Sequence, residues 1–284
     1  MVCFRYNPGN ERTGNAIIWN PSDAKYWFTR EQLFEWYAIL KEKWVKRFWL
    51  HTMIASNELN SEYFVETAKM LFELVVEINN KLWVKMEFVN IGWWIGIPYK
   101  PEQSRVAYGI IADWIKVQYE KLIKNNNLDP LKLFMECGRT ITWPYWYLVT
   151  KAIHEKNIHK KYIWVDACMA NLMRPALYWA YHHITVLWKE NIEKDMKYDV
   201  VWSLCENNDK FAVDRDLPKI DIWDTIVIHD SWAHWHAMGF NYNWKLRSKE
   251  LLLRSNWEVV EIRREETIED YFITLDFQKM NYFE

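Results

Sequence analysis

The reading of this chain turns on two stretches near its end. One is Thr225-Ile226-Val227-Ile228-His229-Asp230-Ser231-Trp232-Ala233-His234-Trp235, and the other is Lys249-Glu250-Leu251-Leu252-Leu253-Arg254-Ser255-Asn256-Trp257-Glu258-Val259-Val260-Glu261-Ile262. The first opens on a short, wholly apolar run, as expected of a strand covered on both faces of a sheet, and leaves it through an acidic residue in a turn. Leu246, Glu250 and Leu253 alternate with Lys245, Arg247, Lys249 and Arg254, which predicts an amphipathic helix over 244–254 with one basic face. Asn256 stops that helix, and residues 257–262 read as a second strand. A closing helix is expected from Thr267 to Lys279, and Lys219-Ile220-Asp221-Ile222-Trp223-Asp224 alternates like a strand entering the same sheet.

In this order the tail resembles the RAP domain, a module of organellar RNA-associated proteins. Asp230, His234 and Trp235 stand where that family has Asp-Gly-Pro-x-His-Phe, and Trp257 opens its second strand. Ser231-Trp232 replaces the family's Gly-Pro, Asn256 its Gly, and Ile228 an expected acidic residue. The resemblance implies a small α/β domain over 219–284, related to restriction-endonuclease-like folds, behind a helical-repeat region. It also implies association with RNA in mitochondria or another organelle, as a non-catalytic component of a ribonucleoprotein such as the mitochondrial ribosome. RNA and neighbouring protein subunits are then the partners. The alternative is a metal-dependent RNA endonuclease with Asp221, Asp224 and Asp230 around a divalent ion, which needs hard oxygen ligands converging on one point. Loss of a carboxylate at Ile228 weighs against cutting and toward binding, with no metal and no cofactor. Lys245, Arg247, Lys249, Arg254, Arg263 and Arg264 are the candidate phosphate contacts.

Composition bounds this reading. A net charge of -2 over 284 residues is not the basic excess of a protein that grips nucleic acid unaided. No apolar run is long enough for a membrane helix. Cys3, Cys137, Cys168 and Cys205 lack paired spacing, so neither a disulfide framework nor a zinc site is indicated. Twenty Trp beside seven Gly is the oddest feature; it reads as a heavy aromatic core, and the scarcity of Gly argues against a phosphate-cradling loop.

Upstream, residues 1–28 read as an irregular arm and residues 29–206 as an all-α domain, with 207–218 a polar linker. Thr29-Arg30-Glu31-Gln32 has capping-box spacing and predicts a helix to Ser56. Phe64, Ala68, Leu71, Val75, Ile78 and Leu82 share a face of a second helix over 60–88. Asn90-Ile91-Gly92-Trp93-Trp94-Ile95-Gly96-Ile97-Pro98 breaks the period and reads as a buried connector. Further helices are expected from Pro101, Asp129 and Trp164 and over 199–206. His182-His183 is assigned to core packing, and His154 and His159 to a solvated tip.

Overall fold

The computed structural model describes every residue except 15–19, 26, 93–94, 203, 232–234, 277–278 and 280–284, and gives no side-chain surroundings for Trp235. The chain divides into two compact units, Met1–Pro144 and Tyr145–Glu284, taken separately below.

The first unit alternates strand and helix: β1 (Val2–Arg5), α1 (Arg30–Glu42), β2 (Phe48–His51), α2 (Ser61–Leu82), β3 (Met86–Asn90), α3 (Tyr108–Leu122), β4 (Lys132–Phe134) and α4 (Gly138–Thr142). The four strands pair in the order β1-β2-β3-β4, all parallel. Neighbours in sequence are thus neighbours in the sheet, the singly wound order of an α/β-barrel arc. This overturns the all-α helical domain expected over 29–206. The capping box at Thr29 and Gln32 does form, but α1 ends at Glu42 and residues 48–51 are a strand. Likewise α2 ends at Leu82, residues 86–90 are a strand, and the segment after Asp129 holds β4 instead of a helix.

The breaks have a backbone cause. After α1, Trp44 takes φ +63, with Trp44 N–H bonded to Lys41 O and Val45 N–H to Leu40 O, the pattern that closes a helix through a left-handed residue. After α2, Trp83 takes φ +56 and bonds Asn79 O. The apolar residues of β2 and β3 then pair on both sides, which removes the alternation that marks a half-exposed strand. Phe64, Ala68, Leu71, Phe72, Val75 and Ile78 of α2 are buried against Leu50, Met86 and Val89 in one core.

The second unit has a six-stranded mixed sheet. It comprises β5 (Leu148–Asn157), β6 (Lys161–Val165), β7 (Ile184–Val186), β8 (Met196–Val201), β9 (Lys210–Leu217) and β10 (Thr225–Ile228), in the order β7-β10-β5-β6-β8-β9. Only β6 and β8 run parallel. A short helix, α5 (Arg174–Tyr178), lies between β6 and β7. The helix expected from Trp164 is instead the end of β6, the short α5 and β7 joined by loops, that over 199–206 begins with the end of β8, and 207–218 holds β9. Ile163, Val165, Val200, Phe211, Ile226 and Ile228 form its core.

The tail corrects the RAP-like reading directly. Strand β10 forms where expected, but residues 221–224 are a turn and the predicted helix over 244–254 is absent. Instead β11 (Glu250–Leu253) pairs antiparallel with β12 (Val259–Arg263) as a separate two-stranded sheet. Among the described residues, the α-helices after β10 are the short α6 (Trp235–Met238) and α7 (Ile268–Phe272). The tail is thus split between a large sheet begun far upstream and a hairpin of its own.

Because Leu71 is fully buried between α2 and the parallel sheet, Leu71→Ala should cost about 2–5 kcal/mol. The expected result is a lower urea midpoint, with an exposed control such as Lys69→Ala leaving it within error.

Candidate active site at the strand ends

Parallel strands joined by helices deliver all their carboxyl ends to one edge, where chemistry in α/β barrels is placed. In the first unit that edge gathers His51 from the end of β2, Asn90 from the end of β3, and Glu136 just past β4. Asn90 Nδ2 donates to Glu136 Oε1 at 2.7 Å, and Asn90 Oδ1 accepts from Gly92 N–H at 2.8 Å. His51 Nε2 lies 3.6 Å from Glu136 Oε1, short of a hydrogen bond. That ring nitrogen is buried and has no hydrogen-bond partner among the described residues, an arrangement that is costly unless something else satisfies it. The His51 ring stacks on Trp49, which stacks in turn on Phe88.

Burial, reinforced by the nearby Arg5 charge and only partly opposed by Glu136, pushes the His51 pKa down to about 4. Neutral imidazole is therefore the working form, a flat aromatic face with one free nitrogen.

Two loops brace this edge. Gly96 N–H donates to Glu58 O at 2.8 Å and Ile97 N–H to Asn57 Oδ1 at 3.0 Å. A Cβ on Gly96 would stand 2.8 Å from backbone atoms of Asn57 and Glu58, so only glycine permits this approach. At the start of α4 the buried Arg139 donates to Ser56 Oγ at 2.9 Å and to Tyr99 Oη, with Trp143 under its guanidinium at 4.1 Å.

The second unit holds its own polar group. The fully buried His182 receives Arg174 Nη1 on Nε2 at 2.9 Å and donates from Nδ1 to His229 O at 2.9 Å, while Arg215 Nη1 donates to His182 O at 2.7 Å. His229 Nε2 sits 2.9 Å from Thr185 Oγ1, and burial lowers its pKa. Elsewhere in the unit, Cys205 Sγ lies 3.0 Å from Tyr242 Oη, a contact that lowers the thiol pKa.

The residues singled out for RNA or metal do not assemble. Asp221 and Asp224 are both bound by Lys189 Nζ, at 2.7 and 2.6 Å. Asp230 turns the chain at the end of β10 with φ +54. Among the described residues, no cluster of His, Cys, Asp or Glu could hold a metal. The basic residues share no helix face: Lys245 lies over Trp202, while Arg247 pairs with Glu266, Arg254 with Glu258, Arg263 with Glu250 and Arg264 with Asp270. Only Lys249 is not engaged in this way, and it is exposed. His234 falls outside the described residues, the side chain of Trp235 is not described, and Trp257 is an exposed hairpin-turn residue. His51, Asn90 and Glu136 were missed because each closes an apolar run too short to read as a strand.

A strand-helix unit with polar groups gathered at its strand ends, followed by an antiparallel-rich sheet, is the architecture of the α/β-barrel class joined to a sheet domain. The model of the pyridoxal-dependent decarboxylase C-terminal sheet domain matches residues 34–231. The chain is 36% identical over its full length to Protein TabA of Pseudomonas amygdali pv. tabaci, covering 66% of that protein. It is 30% identical to the diaminopimelate decarboxylase of Methanothermobacter thermautotrophicus over 95% of this chain and 63% of that one. The diaminopimelate decarboxylase of M. jannaschii solved with L-lysine superposes with a TM-score of 0.83 at 28% identity, over 96% of this chain and 63% of that chain. The chain belongs to the pyridoxal-dependent decarboxylase family. It spans just under two thirds of the length of these relatives. Membership overturns the RAP resemblance, and with it the RNA, ribosomal and subunit partners.

The depressed His51 pKa carries a sign. The unfolded chain takes up a proton near pH 6.5 and the folded chain only near 4, so stability is complete above 6.5 and falls as pH drops between those values. An NMR titration should show the His51 ring neutral until about pH 4, and His51→Gln should flatten that part of the stability profile.

Proposed function

We propose that this chain forms the larger part of a pyridoxal-phosphate-dependent decarboxylase acting on a small diamino acid such as diaminopimelate. The observation that carries the reading is the His51, Asn90 and Glu136 constellation at the carboxyl edge of a parallel sheet, in a chain of this family.

The residues fit the cofactor. A pyridine ring needs an anionic partner for its nitrogen and a flat surface for its face. Glu136, oriented by Asn90, offers the carboxylate; His51, kept neutral and backed by Trp49, offers the flat partner and the unsatisfied nitrogen. When bound, pyridoxal phosphate supplies an electron sink for the pair released as the α-carboxylate leaves as carbon dioxide. None of residues 5–8, 51–58, 90–92, 95–97 and 134–139 at this edge is a lysine, so an imine-forming amine would come from outside these segments. Asn90 donates to Oε1 and so fixes the orientation of the carboxylate. Arg139, held by Ser56 and Tyr99, fixes the loop after β2 against the start of α4, and the Gly96 contact holds the loop after β3 on the same support. These contacts brace the edge against movement, which a positioned site requires.

In the full-length protein supplied with pyridoxal phosphate, carbon dioxide release from diaminopimelate should exceed that from lysine, ornithine or arginine. No release from any of the four would overturn the reading. Glu136→Gln should weaken cofactor binding about 10- to 100-fold, the worth of one charge-assisted contact, as measured by titration of the cofactor absorbance.

A further inference from the structure

Among the described residues, thirteen non-glycine positions have positive φ, and they fall into only two chemical groups. Five are Asn or Asp (Asn57, Asn127, Asp214, Asp230 and Asn243), the side chains that ordinarily tolerate this region. The other eight are all tryptophan: Trp27, Trp44, Trp83, Trp179, Trp188, Trp223, Trp244 and Trp257, at φ between 54 and 91. A bulky side chain in this conformation is a genuine outlier, because its Cβ crowds the following carbonyl at roughly 1–2 kcal/mol per residue. No Leu, Ile, Phe, Tyr, Lys or Glu shares the set.

The places these residues occupy are those that call for glycine. Trp44 follows the last turn of α1 with both hydrogen bonds of a Schellman closure. Trp83 and Trp179 are the left-handed caps of α2 and α5. Trp188 and Trp223 are the third residues of turns closed by Lys189 N–H to Val186 O and Asp224 N–H to Asp221 O, where positive φ is the glycine signature of a type II turn. Trp257 closes the β11–β12 turn through its N–H to Arg254 O, the left-handed position of a hairpin loop.

Apart from Trp27, under the Arg5 guanidinium, and Trp244, against Tyr271 and Phe272, the rings at these sites face solvent. Seven of the eight, all but Trp27, are 68–86% exposed. Tryptophans with ordinary backbone behave differently: Trp143 is buried beneath Arg139 and Trp49 stacks on Phe88. Composition points the same way, since a chain of this length carries about 20 glycines on average and this one has 7 beside 20 Trp.

We propose that these left-handed tryptophan positions are glycine in the protein as its own cell makes it, through a codon that stands for tryptophan in one genetic code and glycine in another. UGA is such a codon, and the ordinary codons UGG and GGG differ by a single base. The backbone then takes positive φ without strain, and the tryptophans with ordinary φ, such as Trp49 and Trp143, remain tryptophan.

Peptide mass mapping of the protein isolated from its native cell tests this without requiring any variant to fold. Glycine is expected at 44, 83, 179, 188, 223 and 257, with tryptophan retained at 49 and 143; tryptophan at 83, 179 or 257 overturns the proposal. A second measurement addresses the physics. In the full recombinant chain, Trp83→Gly should raise the melting temperature by roughly 2–4 °C, whereas Trp49→Gly should lower it. An unchanged or lower value for Trp83→Gly removes the conformational basis of the inference.

Discussion

Parallel pairing is the constraint from which the first unit follows. Two parallel strands cannot be joined by a tight turn, so each needs a crossover, and here the crossovers are α1, α2 and α3. The crossovers bury the sheet and force every strand to end at the same edge. His51, Asn90 and Glu136, 85 positions apart in the chain from first to last, become neighbours through that polarity alone. The Asn90 side chain then ties the end of β3 to the residue beyond β4 and to its own following loop.

The same constraint explains the electrostatics at that edge. An imidazole at the end of a buried strand is half-stripped of water, and Arg5 at the end of the neighbouring β1 adds a like charge. Glu136 is close enough to oppose these effects but not close enough to win. A neutral imidazole beside the Glu136 carboxylate is the outcome. In the second unit the buried group is satisfied internally: Arg174, His182 and the His229 carbonyl form a closed chain of hydrogen bonds.

What could be read from the sequence depended on punctuation. The α1 capping box, the apolar face of α2 and strand β10 were legible because each carries a local pattern with one meaning. The ends of α1 and α2 were not, since Trp44 and Trp83 sit where glycine would have announced a stop, and the apolar spacing runs on past both. Strands β2 and β3 were absorbed into those helices because a short strand covered on both faces has no alternation to show. In the tail, Leu251-Leu252-Leu253 beside alternating charges read as an amphipathic helix, yet pairing with Val259 and Val260 made it a hairpin strand. The candidate site was largely hidden for a related reason. Its three residues belong to three strand ends, and no spacing rule links them until the order of the sheet is known. Asp221 and Asp224 were metal ligands only in the alternative that the RAP resemblance raised, and Lys189, far upstream, claims both.

Gly96 sets a limit on how this family member can drift. Its missing side chain is filled by the backbone of Asn57 and Glu58, so the two loops behave as one piece of masonry. Substitutions on the outer surface of either loop leave this joint intact. Any mutation that adds bulk at the joint displaces both walls at once, so change in this region can proceed only by working around that stone.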